Sequence, residues 1–233
     1  VLKELGASVR NTKADSLLVA ENWTDTPIIA TYYGSTSVVT GGDEMPMSFN
    51  FPLASAILDG VSNGRASGIT AKLGEIAMLY PAGVLDAPFL TNHDQTRLAT
   101  VLGRNGPKLR NAAAILLTVP GVPFLYYGEE VGIANGPSRG DESKRTPMPW
   151  TAAGGFSTAA PWYDYAPGRE HANVETQTGD ASSLLSRYRA LIRTRKSSDA
   201  LRRGTLEPID SDERLLAFTR TSATDRVLVV HNL

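Results

Sequence analysis

Residues 88–94 read Pro88-Phe89-Leu90-Thr91-Asn92-His93-Asp94. An apolar run passes abruptly into four polar residues, the pattern of a strand buried on both faces whose tip reaches a crevice. Three more runs share it: Leu17-Leu18-Val19-Ala20-Glu21, Met47-Ser48-Phe49-Asn50-Phe51 and Val122-Pro123-Phe124-Leu125-Tyr126-Tyr127-Gly128. Between them lie helical patterns. One starts at Pro52–Leu58 and continues toward Thr70–Leu79, and another spans Pro107–Thr118, where Leu109, Ala112, Ala113, Leu116 and Leu117 share one face. The opening residues, Val1 to Gly6, resemble the end of a helix. Strands alternating with helices predict βα units around a parallel sheet.

Working outward, the stretch Glu129 to Gly179 is rich in Gly, Pro, Ser and aromatics and far exceeds the usual βα loop of about 2–6 residues. It closes on a predicted helix over 181–196, with Asp180 as N-cap, Leu184, Leu185, Tyr188, Leu191 and Ile192 on its buried side, and Arg and Lys toward its end. From Gly204 the pattern alternates, and Arg214–Arg220 and Arg226–Asn232 flank a polar turn, Thr221–Asp225, as an antiparallel hairpin does. The expected division is 1–201 for the βα units, with the long loop at 129–179, and 202–233 for the opening strands of a β-domain.

The whole chain has 233 residues, 23 basic and 24 acidic, with a net charge of −1, which argues against a nucleic-acid partner. No window approaches the roughly 18 consecutive apolar residues of a membrane helix, so a membrane is not expected as a partner either. The absence of cysteine excludes disulfides, thiolate metal sites and a Cys nucleophile, but leaves the compartment open between cytoplasm, periplasm and secretion. The three histidines, His93, His171 and His231, are too scattered for a multi-histidine metal site.

In α/β sheets and barrels the polar residues at the C-terminal ends of parallel strands face the site. Glu21 and Asp94 stand at two such ends, and two converging carboxylates are the minimum equipment for glycoside chemistry. On placement alone each is either catalytic or the structural cap of a following helix. His93, between Asn92 and Asp94, is a weaker candidate. Trp150, Trp162, Tyr163 and Tyr165 are either sugar-stacking platforms or anchors of the long loop.

Taken together, Leu18-Val19-Ala20-Glu21-Asn22-Trp23, Thr91-Asn92-His93-Asp94 and Gly121-Val122-Pro123-Phe124-Leu125-Tyr126-Tyr127-Gly128-Glu129-Glu130 resemble the fifth-, seventh- and eighth-strand motifs of the α-amylase family of glycoside hydrolases. Met47–Leu53 at the sixth strand and Arg145-Thr146-Pro147-Met148-Pro149-Trp150, similar to the RTPMQW-type segment of oligoglucosidases, extend the resemblance over essentially the whole chain. It implies the C-terminal half of a (β/α)8 barrel followed by the start of an antiparallel β-domain, from a retaining enzyme acting on starch-like α-glucans or maltooligosaccharides. Glu21 would be the acid/base, its pKa raised by partial burial and neighbouring carboxylates, and Asp94 would steady the transition state. His93, Asn92, Trp23, Arg145 and Trp150 would contact substrate. Ala20 replaces the Gly that many members carry before the Glu, a small-for-small change.

The family's nucleophile, an Asp in a GFRxD-type motif at the fourth strand, has no counterpart here. Asp15, Asp25, Asp43, Asp59 and Asp86 fall in turns or loops without those surroundings. The expectation is therefore an isolated chain close to inactive, with open parallel edges at its first and last strands that bind either an N-terminal half or a second copy. No cofactor or metal is assigned, calcium in this family being associated with a region upstream of this chain. Two other readings stand beside the hydrolase: a transglycosylase or isomerase similar to trehalose synthase, and a catalytically silent barrel scaffold.

Overall fold

The computed structural model describes residues 1–155 and 157–233. Helix α1 (Leu2–Thr12) leads into β1 (Val19–Ala20), followed by α2 (Thr26–Thr31), β2 (Met47–Phe49), α3 (Phe51–Asn63), α4 (Ser67–Leu79) and β3 (Leu85–Ala87). The three strands form a parallel sheet in chain order, with Val19 beside Met47 and Met47 beside Leu85. Asn50 starts α3, its Oδ1 accepting the Leu53 N–H at 2.9 Å, with Pro52 in the first turn. The continuous helix expected from Pro52 to Leu79 is two helices instead. Gly64, at φ 68°, ends α3 in a left-handed conformation that glycine adopts without strain, and the chain turns back so that α4 packs on α3.

The third and fourth predicted strands also differ from expectation. The ladder covers Leu85–Ala87, ahead of the Pro88–Asp94 run, and Val122–Gly128 forms no regular strand, its last two residues lying in a turn. Val122 and Phe124 donate to the carbonyls of Asp86 and Pro88 at 2.8 and 2.9 Å, so this run does lie along β3. A parallel ladder needs an N–H returned from residue 88, and proline has none. Asp59 and Asp86, expected in turns or loops, lie within α3 and β3.

After β3 come α5 (Leu98–Val101) and α6 (Gly106–Leu116), whose face Leu109, Ala112, Ala113, Leu116 and Leu117 is buried as its spacing predicts. The long segment that follows contains two 3-10 turns, Glu129–Val131 and Asp141–Lys144, and a short helix α7 (Val174–Gln177). Helix α8 (Leu184–Ser197) starts three residues later than predicted. Ser183 is its cap, accepting the Ser186 N–H, whereas Asp180 Oδ1 is occupied by the N–H and hydroxyl of Ser182.

Helix α9 (Asp199–Arg203) leads to an antiparallel sheet of β4 (Thr205–Ile209), β5 (Leu215–Thr221) and β6 (Arg226–Asn232), which contains the predicted hairpin. Leu216, Phe218 and Val229 of this sheet share one hydrophobic cluster with Leu53, Ile69 and Leu116 of the helices. Two buried arginines reinforce that seam. Arg195 donates to the carbonyls of Leu117, Val119 and Gly121 at 3.0, 3.0 and 2.5 Å, and Arg220 to those of Thr118 and Gly204 at 2.5 and 2.8 Å. Both guanidinium groups thus meet the carbonyl-rich end of α6, where the helix dipole favours a cation.

Candidate active site

Parallel strands bring their C-terminal ends to one side of the sheet, and Glu21 follows β1 directly, Asn50 follows β2, and Asn92 to Asp94 lie seven residues at most beyond β3. Asn22 ties the first end to the second by donating to Ser48 Oγ at 3.2 Å. Trp23 donates its indole N–H to Glu21 Oε1 at 3.2 Å, and its ring lies 4.2 Å from that of Phe51. Phe51 meets Phe89 at 4.9 Å, and Phe49 meets both Phe89 and Phe124, at 5.6 and 4.8 Å, so a row of rings runs beneath the strand ends. Glu21 itself is exposed in this chain. It follows β1, which among the described residues pairs only with β2.

The second group forms around Asp94. Asn92 Oδ1 accepts the Asp94 N–H at 3.0 Å and holds the turn. Arg145 reaches across from the long loop, its Nη2 2.5 Å from Asp94 Oδ1 and its Nε donating to the His93 carbonyl at 3.1 Å. His93 Nε2 lies 3.5 Å from the other Asp94 oxygen, and Lys144 Nζ donates to the Asp94 carbonyl at 2.8 Å. Asn92, His93, Asp94 and Arg145 are therefore brought together, and Glu21 and Trp23 form a separate pair at the end of β1. Among the described residues neither carboxylate accepts an amide from a helix start, so neither is a cap.

Trp150 is partly exposed and its carbonyl accepts the Glu175 N–H at 2.9 Å, tying it to α7. Tyr163 shares a hydrogen bond with Ser138, and Tyr165 holds Arg169 4.9 Å from its ring and abuts Gly154. These two fasten the loop. Trp162, tilted against Tyr163 at 5.5 Å, is the more exposed ring.

Behind Asp94 lies a buried polar layer whose pairings the sequence does not announce. Glu129, fully buried, accepts a short hydrogen bond from Thr91 Oγ1. Burial pushes its carboxyl up to about 8, partly offset by the Thr91 bonds and by Arg97. Below β3, Asn50 Nδ2 donates to both Asp86 oxygens at 3.1 and 2.9 Å, and burial pushes Asp86 up to about 7 against that stabilisation. Arg97 is buried between Tyr126 and Tyr127. Glu129, Tyr126 and Tyr127 stand in one visible motif, yet the partner Thr91 is 38 residues from Glu129, a separation without local periodicity. Among the described residues no group of three or more His, Asp or Glu is placed to hold a metal ion.

The family model for the alpha amylase catalytic domain matches residues 1–204. The chain belongs to the alpha-amylase family. Among family members, Alpha-amylase 3 of Dictyoglomus thermophilum is 35% identical over 99% of this chain and 45% of its own length. Trehalose synthase/amylase TreS of Mycolicibacterium smegmatis is 32% identical over 93% of this chain and 44% of its own. The crystal structure of an alpha-amylase from H. orenii superposes with a TM-score of 0.86 at 30% identity, over 99% of this chain and 46% of that one. The chain thus spans about half the length of the alpha-amylase relatives it matches. Its fold is the C-terminal half of the family's (β/α)8 barrel followed by an antiparallel sheet.

Proposed function

We propose that the chain is part of a retaining glycoside hydrolase cleaving α-glucosidic bonds in starch-like α-glucans or maltooligosaccharides. The observation that carries this reading is the cluster of Asn92, His93, Asp94 and Arg145 at the ends of parallel strands, with Glu21 on the first strand end in the family's order. Glu21 donates its proton to the glycosidic oxygen as the bond to the sugar breaks, and then takes a proton from the water that releases the sugar. Asp94 and His93 hold hydroxyls of the reacting sugar, Arg145 and Asn92 contact the substrate while keeping Asp94 in place, and Trp23 and Trp150 offer flat apolar faces. The nucleophilic Asp comes from an N-terminal part, with which residues 1–201 complete the barrel, and residues 202–233 open a β-domain.

In the assembled enzyme, Glu21→Gln is expected to lower turnover of unactivated α-glucans by about 10²–10⁴-fold, the usual weight of a general acid/base. Near-normal activity in that variant would overturn the assignment. The similarity to trehalose synthase/amylase supports a second reading, isomerisation or transglycosylation at the same site. Product analysis with maltose distinguishes them: glucose alone marks hydrolysis, trehalose marks isomerisation.

A further inference from the structure

The function above leaves the Tyr126–Tyr127 pair unused. Their two rings meet edge to face at 4.8 Å where the chain enters a turn. One guanidinium, that of Arg97, lies 4.6 Å from both ring centroids and donates to the Tyr127 carbonyl at 2.8 Å. Because Arg97 is wholly buried, the cation fixes both rings from behind.

The hydroxyls work on the other side. Tyr126 Oη donates to the Lys144 carbonyl at 3.0 Å, and Tyr127 Oη to the Thr146 carbonyl at 2.6 Å. The residue bracketed by those two carbonyls is Arg145, which grips Asp94 and the His93 carbonyl. Side chains of Arg145 and Asp94 are each more than a third exposed, and an ion pair in that setting does not by itself hold one geometry. Two hydrogen bonds flanking Arg145 fix the point from which its side chain reaches.

We infer that Tyr126 and Tyr127, braced by Arg97, are positioning residues that set Arg145 against Asp94 and so define the substrate contact those two make. This rests on the proposed reading of Asp94 and Arg145 as substrate-binding groups. In this inference both tyrosines act through Arg145.

A double-mutant cycle in the assembled enzyme tests this, using whichever of maltotetraose, isomaltose and trehalose the wild type turns over fastest. Tyr126→Phe/Tyr127→Phe keeps both rings around Arg97 and removes only the hydroxyls. It is expected to lower kcat/KM about tenfold, mainly through KM, as the loss of two ordinary hydrogen bonds implies. Arg145→Ala lowers it further, and adding the two Tyr→Phe changes to Arg145→Ala has no additional effect. If the losses multiply instead, the tyrosines act independently of Arg145 and the inference fails. Unchanged kcat/KM in Arg145→Ala, or in the tyrosine variant, overturns it as well. Should the double variant lose its thermal unfolding transition, Tyr127→Phe alone runs the same cycle. Glu21→Gln separates the levels: a full loss there beside multiplying tyrosine effects fails this inference only, and full activity there fails the underlying reading.

Discussion

Glu129 is a carboxyl held where water does not reach, and its proton follows from that. In the folded chain it titrates near 8, against about 4.3 for an unperturbed Glu. Between those values the folded protein keeps a proton that the unfolded chain has lost. Its contribution to stability is fully present below about pH 4 and is lost as pH rises through 8. Asp86, near 7, adds to the same decline. His231, which burial pushes down to about 4, works in the opposite direction, its contribution present above about 6.5 and lost as pH falls. Of these three, Glu129 releases most of the proton lost between pH 7 and 8, Asp86 adding the upper part of its own titration. Glu129→Gln keeps an acceptor for Thr91 and is expected to abolish a loss of about 1 kcal/mol of unfolding free energy across that window. Urea unfolding at both pH values reads it, and an undiminished slope would remove Glu129 as its source. At this scale the sequence shows Glu21, His93, Asp94 and Arg145 as candidates because each stands in a local motif. It is silent on Thr91 with Glu129 and Asn50 with Asp86, since those pairs form only when strands and loops meet.

At the scale of elements, the helix faces are legible because a 3.6-residue period repeats within a few turns, as along α6 and α8. Strand boundaries are less so. Pro88 looks like an ordinary member of an apolar run, yet its missing N–H decides where the parallel ladder can form. The end of α6 illustrates what periodicity cannot show. Arg195 reads as one of several basic residues in the last turn of α8, and it instead binds three carbonyls of the segment that follows α6. Burial pushes both Arg195 and Arg220 down to about 10, with Arg195 adding to the shift of Arg220, so both remain charged at neutral pH. Arg195→Met, which keeps the length and loses the donors, is expected to cost about 3 kcal/mol through the unpaired carbonyls. The drop in chemical unfolding midpoint measures it, and a change below about 0.5 kcal/mol would show the carbonyls satisfied in another way.

For the whole molecule the open edge of β1 is decisive. The strand pairs with β2 alone, and the apolar ends of two parallel runs lack a second neighbour among the described residues. Such edges seek partners. We expect the chain, expressed by itself, to elute in size exclusion as dimers or larger species, and to form a one-to-one complex when the N-terminal part of the barrel is supplied. A stable monomer by native mass measurement contradicts this. The βα order and the hairpin are readable from pattern alone, whereas half a barrel rather than a whole one is readable only because the motifs carry strand numbers.

The seam between α6 and the antiparallel sheet has a consequence for engineering. Phe218 and Val229 are packed against helical residues, Asn111 Nδ2 donates to the Asn232 carbonyl at 2.6 Å, and His231 meets Thr118 at 3.0 Å. The sheet grips the end of a barrel helix through side chains on both sides. A chimera that exchanges this sheet with that of a related enzyme therefore has to carry residues 106–121 with it, since a cut at the linker near residue 204 would separate Arg220 from the Thr118 carbonyl that it binds.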